Sequence, residues 1–172
     1  MKKVIYVALA ILVFASCQKP KKIGYVDNGI VINDYQEKKD VEAKFQGKEE
    51  AFRKRADSIG LAFQAEVQST QAMAQKASKK KAQELMGGLQ QKQQVLQQQM
   101  QLEQQKLTKD FQTEIDSIIV RVKGFVKDYG KTNGYTYILG TSDAAATILY
   151  GTEEDDITKI IVDALNADYK KE

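Results

Sequence analysis

Large apolar residues recur at intervals of three, four and seven through the middle of the chain, from residue 41 to residue 125. Between them lie mainly Ala, Gln, Lys and Glu, which favour helices, and no proline interrupts the stretch. This pattern predicts two long amphipathic helices that pack against each other as a narrow coiled coil. The apolar positions are Val41, Phe45, Phe52, Ala56, Ile59, Phe63 and Val67 in the first helix, and Leu85, Leu89, Leu96, Met100, Leu107, Phe111, Ile115, Ile118, Val122 and Phe125 in the second.

The apolar pattern fades between Gln68 and Gln83, where small residues and lysines replace every large apolar residue except Met73. Because paired helices need apolar residues where they pack, we expect the chain to reverse direction there, near residues 74–81. The two helices would then have similar lengths of roughly 45 residues, or about 65 Å each. The pair Gly87-Gly88 is a competing turn signal, which would leave the two helices unequal.

Short segments rich in β-forming residues lie on both sides of this predicted hairpin. Residues 22–27, 135–139 and 146–150 each predict a strand. Strands that join one sheet across the whole hairpin would root both of its helices in a single body. The predicted fold class is therefore α+β, with a small β body and a long α-helical coiled-coil hairpin arm.

Helix-capping signals mark two further positions along the chain. Asp34 stands three residues before Glu37, which is the spacing of a capping box at the start of a helix. Asp156 precedes the apolar face of a last helix and is its predicted N-cap. The predicted body comprises residues 23–34 and 130–172, and the predicted arm comprises residues 35–129.

The N-terminal segment has the pattern of a signal peptide, which we assign to residues 1–16. Lys2 and Lys3 precede an apolar run that is too short to span a bilayer as a permanent helix. A polar stretch that holds the only proline follows the run, and residues 17–22 are predicted to be a tether. The pattern predicts an exported protein.

Cys17 is the only cysteine, and it follows the small residues Ala15 and Ser16. It is either an incidental thiol in a discarded leader or a site of acylation. Residues 12–17 resemble the lipobox of bacterial lipoproteins, although Phe14 stands where an aliphatic residue is usual. The resemblance implies lipid attachment at Cys17 and a periplasmic protein anchored to a membrane, with the outer membrane favoured over the inner.

The composition argues against catalysis and against binding of a metal, a cofactor or nucleic acid. The chain has no histidine, and its only cysteine is expected to be acylated, so common proton shuttles and zinc ligands are missing. No P-loop or GxGxxG motif occurs. The acidic run of residues 153–156 lacks the spacing of a calcium-binding loop and is interpreted as helix capping. A formal net charge of +3 is too small to indicate a nucleic-acid partner.

Several large side chains of the predicted arm are candidates for contact with other polypeptides. Two interpretations stay open for each of these side chains. In the first, the side chain only holds the two helices together; in the second, it lines the inner side of the arm and binds client chains. Methionine suits the second role because its thioether side chain adapts to varied shapes. The candidates are Phe45, Phe52, Phe63, Met73, Met86 and Met100.

Polar residues of the arm add two features. Lys76, Lys79, Lys80 and Lys81 predict a basic tip, which is either a solvated end or a site that attracts acidic clients or anionic lipid headgroups. Fourteen glutamines lie between Gln68 and Gln105, and the apolar period continues through them. They therefore predict a solvated helix face rather than a disordered tract.

The order of several short segments resembles that of the Skp/OmpH family of periplasmic chaperones, and the resemblance covers essentially the whole mature chain. It implies a homotrimer whose strands form a small barrel, with three arms around a cavity, and ATP-independent holding of unfolded outer-membrane proteins. The chain departs from the family at Gln36, where members often have proline, and in its predicted lipid anchor. The matching segments are residues 22–27, 35–37, 131–139, 148–150 and 156–158.

A structural or adaptor lipoprotein of the envelope is the main alternative. In that interpretation the coiled-coil hairpin docks through its tip to one defined partner. Reversing the charges of Lys79, Lys80 and Lys81 would then abolish function, whereas a chaperone would lose only part of its affinity for clients. An enzyme is not expected.

Overall fold

Two long antiparallel helices and a small body at their base make up the part of the chain that the structure, a computed structural model, describes, residues 21–142 and 145–170. The predicted α+β class with a long helical hairpin is confirmed. The predicted signal peptide and Cys17 lie outside the described residues. The elements are β1 (Ile23–Asp27), α1 (Asn28–Asp34), α2 (Gln36–Lys76), α3 (Lys79–Thr132), β2 (Tyr137–Thr141), a 3-10 turn (Glu153–Asp155) and α4 (Thr158–Tyr169).

The hairpin reverses direction at Ala77 and Ser78, between α2 and α3, inside the stretch predicted for the turn. The N–H of Ala77 donates to the carbonyl of Ala74 at 3.2 Å and closes the last turn of α2. The Ser78 hydroxyl accepts a hydrogen bond from the N–H of Lys81 at 3.4 Å and so caps the start of α3. Gly87 and Gly88 lie inside α3, so the competing turn at this pair is not formed.

Strand β1 pairs in parallel with β2, with Ile23 opposite Tyr137 and Asp27 opposite Thr141. Parallel neighbours need a long crossover between them, and the whole hairpin fills that role here. The segments on either side of the hairpin therefore meet in one sheet, as predicted, and the hairpin projects from the body that contains this sheet.

The third predicted strand, over residues 146–150, is wrong for the single chain, where this segment is an irregular loop. One reason is that neither edge of β1 is free to pair with it. One edge of β1 pairs with β2, and its other edge is taken by Ile157, whose N–H donates to the carbonyl of Tyr25 at 3.0 Å. Leu149 and Tyr150 are consequently 93% and 86% exposed.

The core of the body joins β1, α1, the end of α3 nearest the body, and α4. Ile118 and Val122, which belong to the arm, are buried together with Ile161 and Leu165 of α4. Burying one such side chain contributes roughly 1.5–3 kcal/mol to stability, so the arm is firmly attached at its base. The buried cluster comprises Val26, Val31, Tyr35, Ile118, Val122, Ile157, Ile161 and Leu165.

A break in the helical backbone at Tyr35 separates α1 from α2, and Asn166 of α4 caps both sides of it. The N–H of Gln36 donates to Asn166 Oδ1 at 2.7 Å, and Asn166 Nδ2 donates to the carbonyl of Asp34 at 3.1 Å. One amide thereby satisfies a helix start and a helix end at once. The cap comes from a residue 130 positions away in sequence.

The predicted capping box at Asp34 and Glu37 is not formed. Helix α1 runs through Asp34, so the N-cap position of α2 falls on Tyr35 instead. The carboxylate of Asp34 pairs with Lys39 at 3.3 Å, and that of Glu37 pairs with Arg121 at 2.8 Å. Each acid thus serves a longer-range contact rather than a local cap.

The second predicted cap, Asp156, does bind the start of its helix. Its carboxylate accepts a hydrogen bond from the N–H of Thr158, the first residue of α4, at 2.9 Å. Ile157 occupies the boundary position, one residue later than predicted. Asp156 therefore still binds a free N–H group at the start of α4, although the helix boundary lies one residue later than predicted.

Replacing Asn166 should weaken the base of the arm. We expect Asn166→Ala to lower the free energy of unfolding by about 2 kcal/mol, because the Gln36 N–H and the Asp34 carbonyl both lose a partner. The loss should appear although alanine is the better helix former. Urea unfolding measures it. Lys159→Ala, an exposed change on the same helix, is the control, and an equal loss there would contradict the capping role.

Burial of Tyr35 predicts a loss of stability at alkaline pH. Burial, and secondly a hydrogen bond with Glu37, raises the pKa of Tyr35 well above its ordinary value. The unfolded chain therefore ionises first, so this stabilising contribution is complete below about pH 10 and is lost as the pH rises further. Tyr35→Phe should flatten the fall in unfolding free energy above pH 10. An equally steep fall in the Tyr35→Phe variant would show that this buried hydroxyl is not its cause.

Candidate functional site

The inner surface of the hairpin is a continuous row of contacts between α2 and α3. Near the body, Phe45 is buried and meets Phe111 edge to face, with ring centroids 5.3 Å apart. Beyond residue 67 the row continues through the buried Thr70 and the half-buried Ala74 and Ala82. The fading of the apolar pattern in the sequence suggested that the contacts stop before the tip. They instead continue to the tip through small side chains.

Four ion pairs cross between the two helices. In each pair the two residue numbers add up to 158, so the antiparallel register is constant along the arm. Three of the pairs are exposed at both partners and contribute only about 0–1 kcal/mol each, so their main effect is on register rather than on stability. In the fourth pair the Glu37 side chain is largely buried. The pairs are Glu37 with Arg121 at 2.8 Å, Lys44 with Glu114 at 2.7 Å, Arg55 with Glu103, and Glu66 with Lys92.

All four ion pairs lie on one side of the hairpin, which we call the charged face. On α3 their residues, from Lys92 to Arg121, are separated by 11, 11 and 7 positions, which correspond to whole helical turns. A shallow hollow on the same side is bordered by Lys48, Lys106 and Asp110 beside the pair formed by Arg55 and Glu103. This face is crowded with fixed charge.

The opposite side of the hairpin carries two open hollows with apolar floors. The first, near the body, has a volume of about 350 Å³ and a floor of Phe45, Leu107 and Phe111. Its rim is mainly polar, with Gln46, Gln104 and Thr108 beside Glu42 and Glu49. It opens between the two helices.

The second hollow lies nearer the tip and has a volume of about 640 Å³. Its floor consists of Phe63, Val67, Met86 and Leu89, and its rim of Gln83, Gln90 and Gln93 together with Gly87. Amide side chains therefore border both hollows. We call this side of the hairpin the amide face and define it by Gln46, Gln90, Gln93, Gln97, Gln101 and Gln104 with the two hollows.

The six candidate contact residues fall into two groups in the structure. Phe52 and Met100 are half-buried between the helices, and the guanidinium of Arg55 lies over the Phe52 ring at 5.9 Å. Phe45 is buried in the floor of the first hollow. These three side chains hold the hairpin together.

Of the remaining candidates, Met73 and Met86 are exposed, and Phe63 is half-buried like Phe52. Phe63 and Met86 come together in the second hollow, where Met86 is 44% exposed. Met73, near the tip, is 51% exposed. The structure thus brings one aromatic and one methionine candidate together on the amide face.

The predicted basic tip is present at the turn. Lys76 ends α2, and Lys79, Lys80 and Lys81 form the first turn of α3, where all four are exposed. Lys81 pairs with Glu84 at 3.2 Å. Three lysines at the positive end of a helix dipole are locally unfavourable, so helix stability does not account for them.

Exposed apolar residues on the outer surface were missed from the sequence. Leu61 and Val120 are 69% and 70% exposed, and Val95 and Leu102 are also exposed. On α3 the spacings of 7 and 18 residues place the last three on one stripe, since both correspond to whole turns. These residues do not fit the spacing of three and four that defines the inner apolar stripe, and this misfit could have revealed their exposure from the sequence.

The described residues, 21–142 and 145–170, hold neither a metal-binding cluster nor a membrane-spanning helix. No group of three or more Cys, Asp or Glu residues there is arranged to hold a metal ion. None of the helices in these ranges is both long and apolar enough to cross a bilayer. The two hollows make the surface of the hairpin the candidate site.

The sequence matches the family model for the outer membrane protein (OmpH-like) family over residues 22–165. The chain belongs to the OmpH-like family. The match covers the whole hairpin and the body as far as residue 165. A search of curated proteins finds no match.

A solved OmpH-like structure shares the fold. It is a crystal structure from Caulobacter crescentus of a protein assigned provisionally as an outer membrane chaperone (OmpH-like). The TM-score is 0.75 at 14% sequence identity, over 88% of this chain and 87% of that chain. The same architecture is therefore built from a very different sequence.

Reversal of one ion pair should reveal the register. We expect Arg55→Glu, which faces Glu103, to lower the free energy of unfolding by about 1 kcal/mol. The exchanged double variant Arg55→Glu with Glu103→Arg should recover most of that loss, as measured by urea unfolding. Lys54→Glu, the same charge change at the exposed neighbouring position, is the control. If Glu103→Arg fails to rescue Arg55→Glu, the cross-helix pairing is contradicted.

Proposed function

We propose that this OmpH-like protein is an ATP-independent holding chaperone of the periplasm, which binds unfolded outer-membrane proteins and prevents their aggregation. The observation that carries the proposal is the pair of apolar-floored hollows that open along one face of a long, rooted arm. An unfolded barrel protein exposes apolar strands with unpaired edges, which otherwise associate with one another. Several weak contacts along such an arm bind the chain firmly overall while each contact stays easy to release.

The exposed surface of the body supports a homotrimer as the working form. A two-stranded sheet is marginally stable alone, and both edges of β1 are already used. The outer edge of β2 and the neighbouring segment with Leu149 and Tyr150 remain for other copies. Three copies that close their strands into a small barrel would cover this surface and place three arms around a common cavity.

Attachment to a membrane is a separate part of the proposal. The signal-peptide pattern and the lipobox-like residues before Cys17 support export to the periplasm and a lipid on that cysteine. The polar residues that follow, with Pro20, suit a tether between the lipid and β1. We favour the outer membrane as the site of attachment. The proposed activity uses no chemical step, metal or cofactor.

Suppression of aggregation tests the proposed function. The purified protein, at about one trimer per client, should keep a barrel protein diluted from urea in solution. The ratio is near one because each trimer would enclose one client molecule and hold it through several contacts. Native mass measurement should give a complex of three copies with one client. Unchanged aggregation at this ratio, or a monomeric protein that never binds the client, would contradict the proposal.

The basic tip supports an alternative function as an adaptor that docks to one acidic partner, since helix stability does not explain its lysines. The triple variant Lys79→Glu, Lys80→Glu, Lys81→Glu separates the two functions in the same assay and in cells. A chaperone should lose only part of its affinity for clients. Complete loss of function in cells with unchanged suppression of aggregation would favour the adaptor.

A further inference from the structure

A row of unpaired amides runs along α3 on the amide face. Gln90, Gln93, Gln97, Gln101 and Gln104 follow one another at intervals of three or four residues, which places them on one side of the helix. All five are exposed. Among the residues that the structure describes, none of their side chains makes a hydrogen bond to another group. Each amide therefore offers two N–H donors and a carbonyl acceptor to an incoming molecule.

Fixed charge is kept away from this row. The cross-helix ion pairs all lie on the charged face, and the row itself contains no charged residue. The two carboxylates on the rim of the first hollow are already neutralised on their own helix. Glu42 pairs with Lys38 at 2.6 Å, and Glu49 pairs with Arg53 at 2.9 Å. The chemistry offered is neutral hydrogen bonding next to an apolar surface.

The distance between the hollows matches one extended segment of polypeptide. Phe45 and Phe63, in the two floors, lie 18 positions apart on α2, which is roughly 27 Å along the helix axis. An extended chain covers this distance in about eight residues. An even number of residues returns to the same side of a strand, so two apolar side chains of one segment can enter both hollows. Strands of membrane barrels are about 9–11 residues long and alternate in this way.

We propose that the amide face binds an unfolded client as one extended segment, with apolar side chains in the two hollows and its backbone against the glutamine row. This inference rests on the proposed chaperone function and adds the binding mode. An unfolded strand carries unpaired N–H and carbonyl groups whatever its sequence, and a side-chain amide can accept from the N–H groups and donate to the carbonyls. Neutral amides therefore hold the backbone without selecting for side-chain charge.

Two matched triple variants of the full chain test the binding mode. The amide-face variant is Gln93→Glu, Gln97→Glu, Gln104→Glu. The control variant is Gln91→Glu, Gln98→Glu, Gln105→Glu, whose residues are seven apart and lie on the side of α3 that points away from α2. Both variants add the same charge to the same helix, and glutamate and glutamine have similar helix propensities. Circular dichroism should therefore show equal helicity.

Client affinity is measured with a fluorescently labelled barrel protein diluted from urea. The amide-face variant should bind it about tenfold more weakly than the control variant, because each acid loses donors and brings an unpaired charge against the backbone. Equal affinity of the two variants, with normal binding by the unchanged protein, would overturn the binding mode and leave the chaperone function standing. Failure of the unchanged protein to bind would overturn both.

A photoreactive side chain gives an independent readout. Placed at Gln97, it should cross-link the client, whereas at Gln98, on the other side of the helix, it should give little product. Equal cross-linking at both positions would contradict a preferred face. Cross-links at Gln97 that join two copies of this chain, instead of chain and client, would assign the face to self-association.

Discussion

The parallel pairing of β1 with β2 closes a loop that contains the entire hairpin, and everything that projects from the body depends on this closure. Bringing distant strands together costs chain entropy, and two strands alone contribute too little to offset it. The compensation comes from the buried cluster beneath the sheet, where Ile118 and Val122 of the arm pack with Ile161 and Leu165 of α4. Sheet, arm and C-terminal helix are thus stable only as one unit.

A two-helix arm has a second constraint, since each helix can bury only one stripe against the other. Large side chains meet near the body and small ones near the tip, so the stripe alone leaves the relative sliding of the helices weakly determined. The cross-helix ion pairs, all with the same sum of residue numbers, remove that freedom. Because they do so from one side, the other side needs no fixed partners to hold the register.

Local sequence patterns predicted what depends on local chemistry. The helical period, the turn near Ser78 and the strands at both ends were accessible because spacing and propensity act over a few residues. The break at Tyr35 was misjudged because its cap comes from Asn166, far away in sequence. The segment with Leu149 and Tyr150 was misjudged because it pairs with neither strand in the single chain, where Ile157 already occupies the second edge of β1.

The candidate site was partly accessible in the same way. Phe63 and Met86 were chosen as large residues near the apolar stripe, and the fold brings them into one hollow. The division of the arm into a charged and an amide face was not seen, because it requires the register between the helices. Once the register is known, the sequence shows which residues face each other, such as Glu66 and Lys92 or Arg55 and Glu103. The charged residues and the glutamines can then be assigned to different faces.

The asymmetry of the arm also explains how it can carry many glutamines. A stripe of amide side chains contributes little to helix pairing. A hairpin that needed ion pairs on both faces to set its register would therefore pair less specifically if amides replaced the charges on one face. Here charge pairing sets the register on one face and the inner apolar stripe supplies the packing. The glutamine row is therefore free of any structural task, and its donors and acceptors stay available at the surface. A holding function needs such a surface, since a face whose polar groups were already paired would have nothing to exchange with an unfolded backbone.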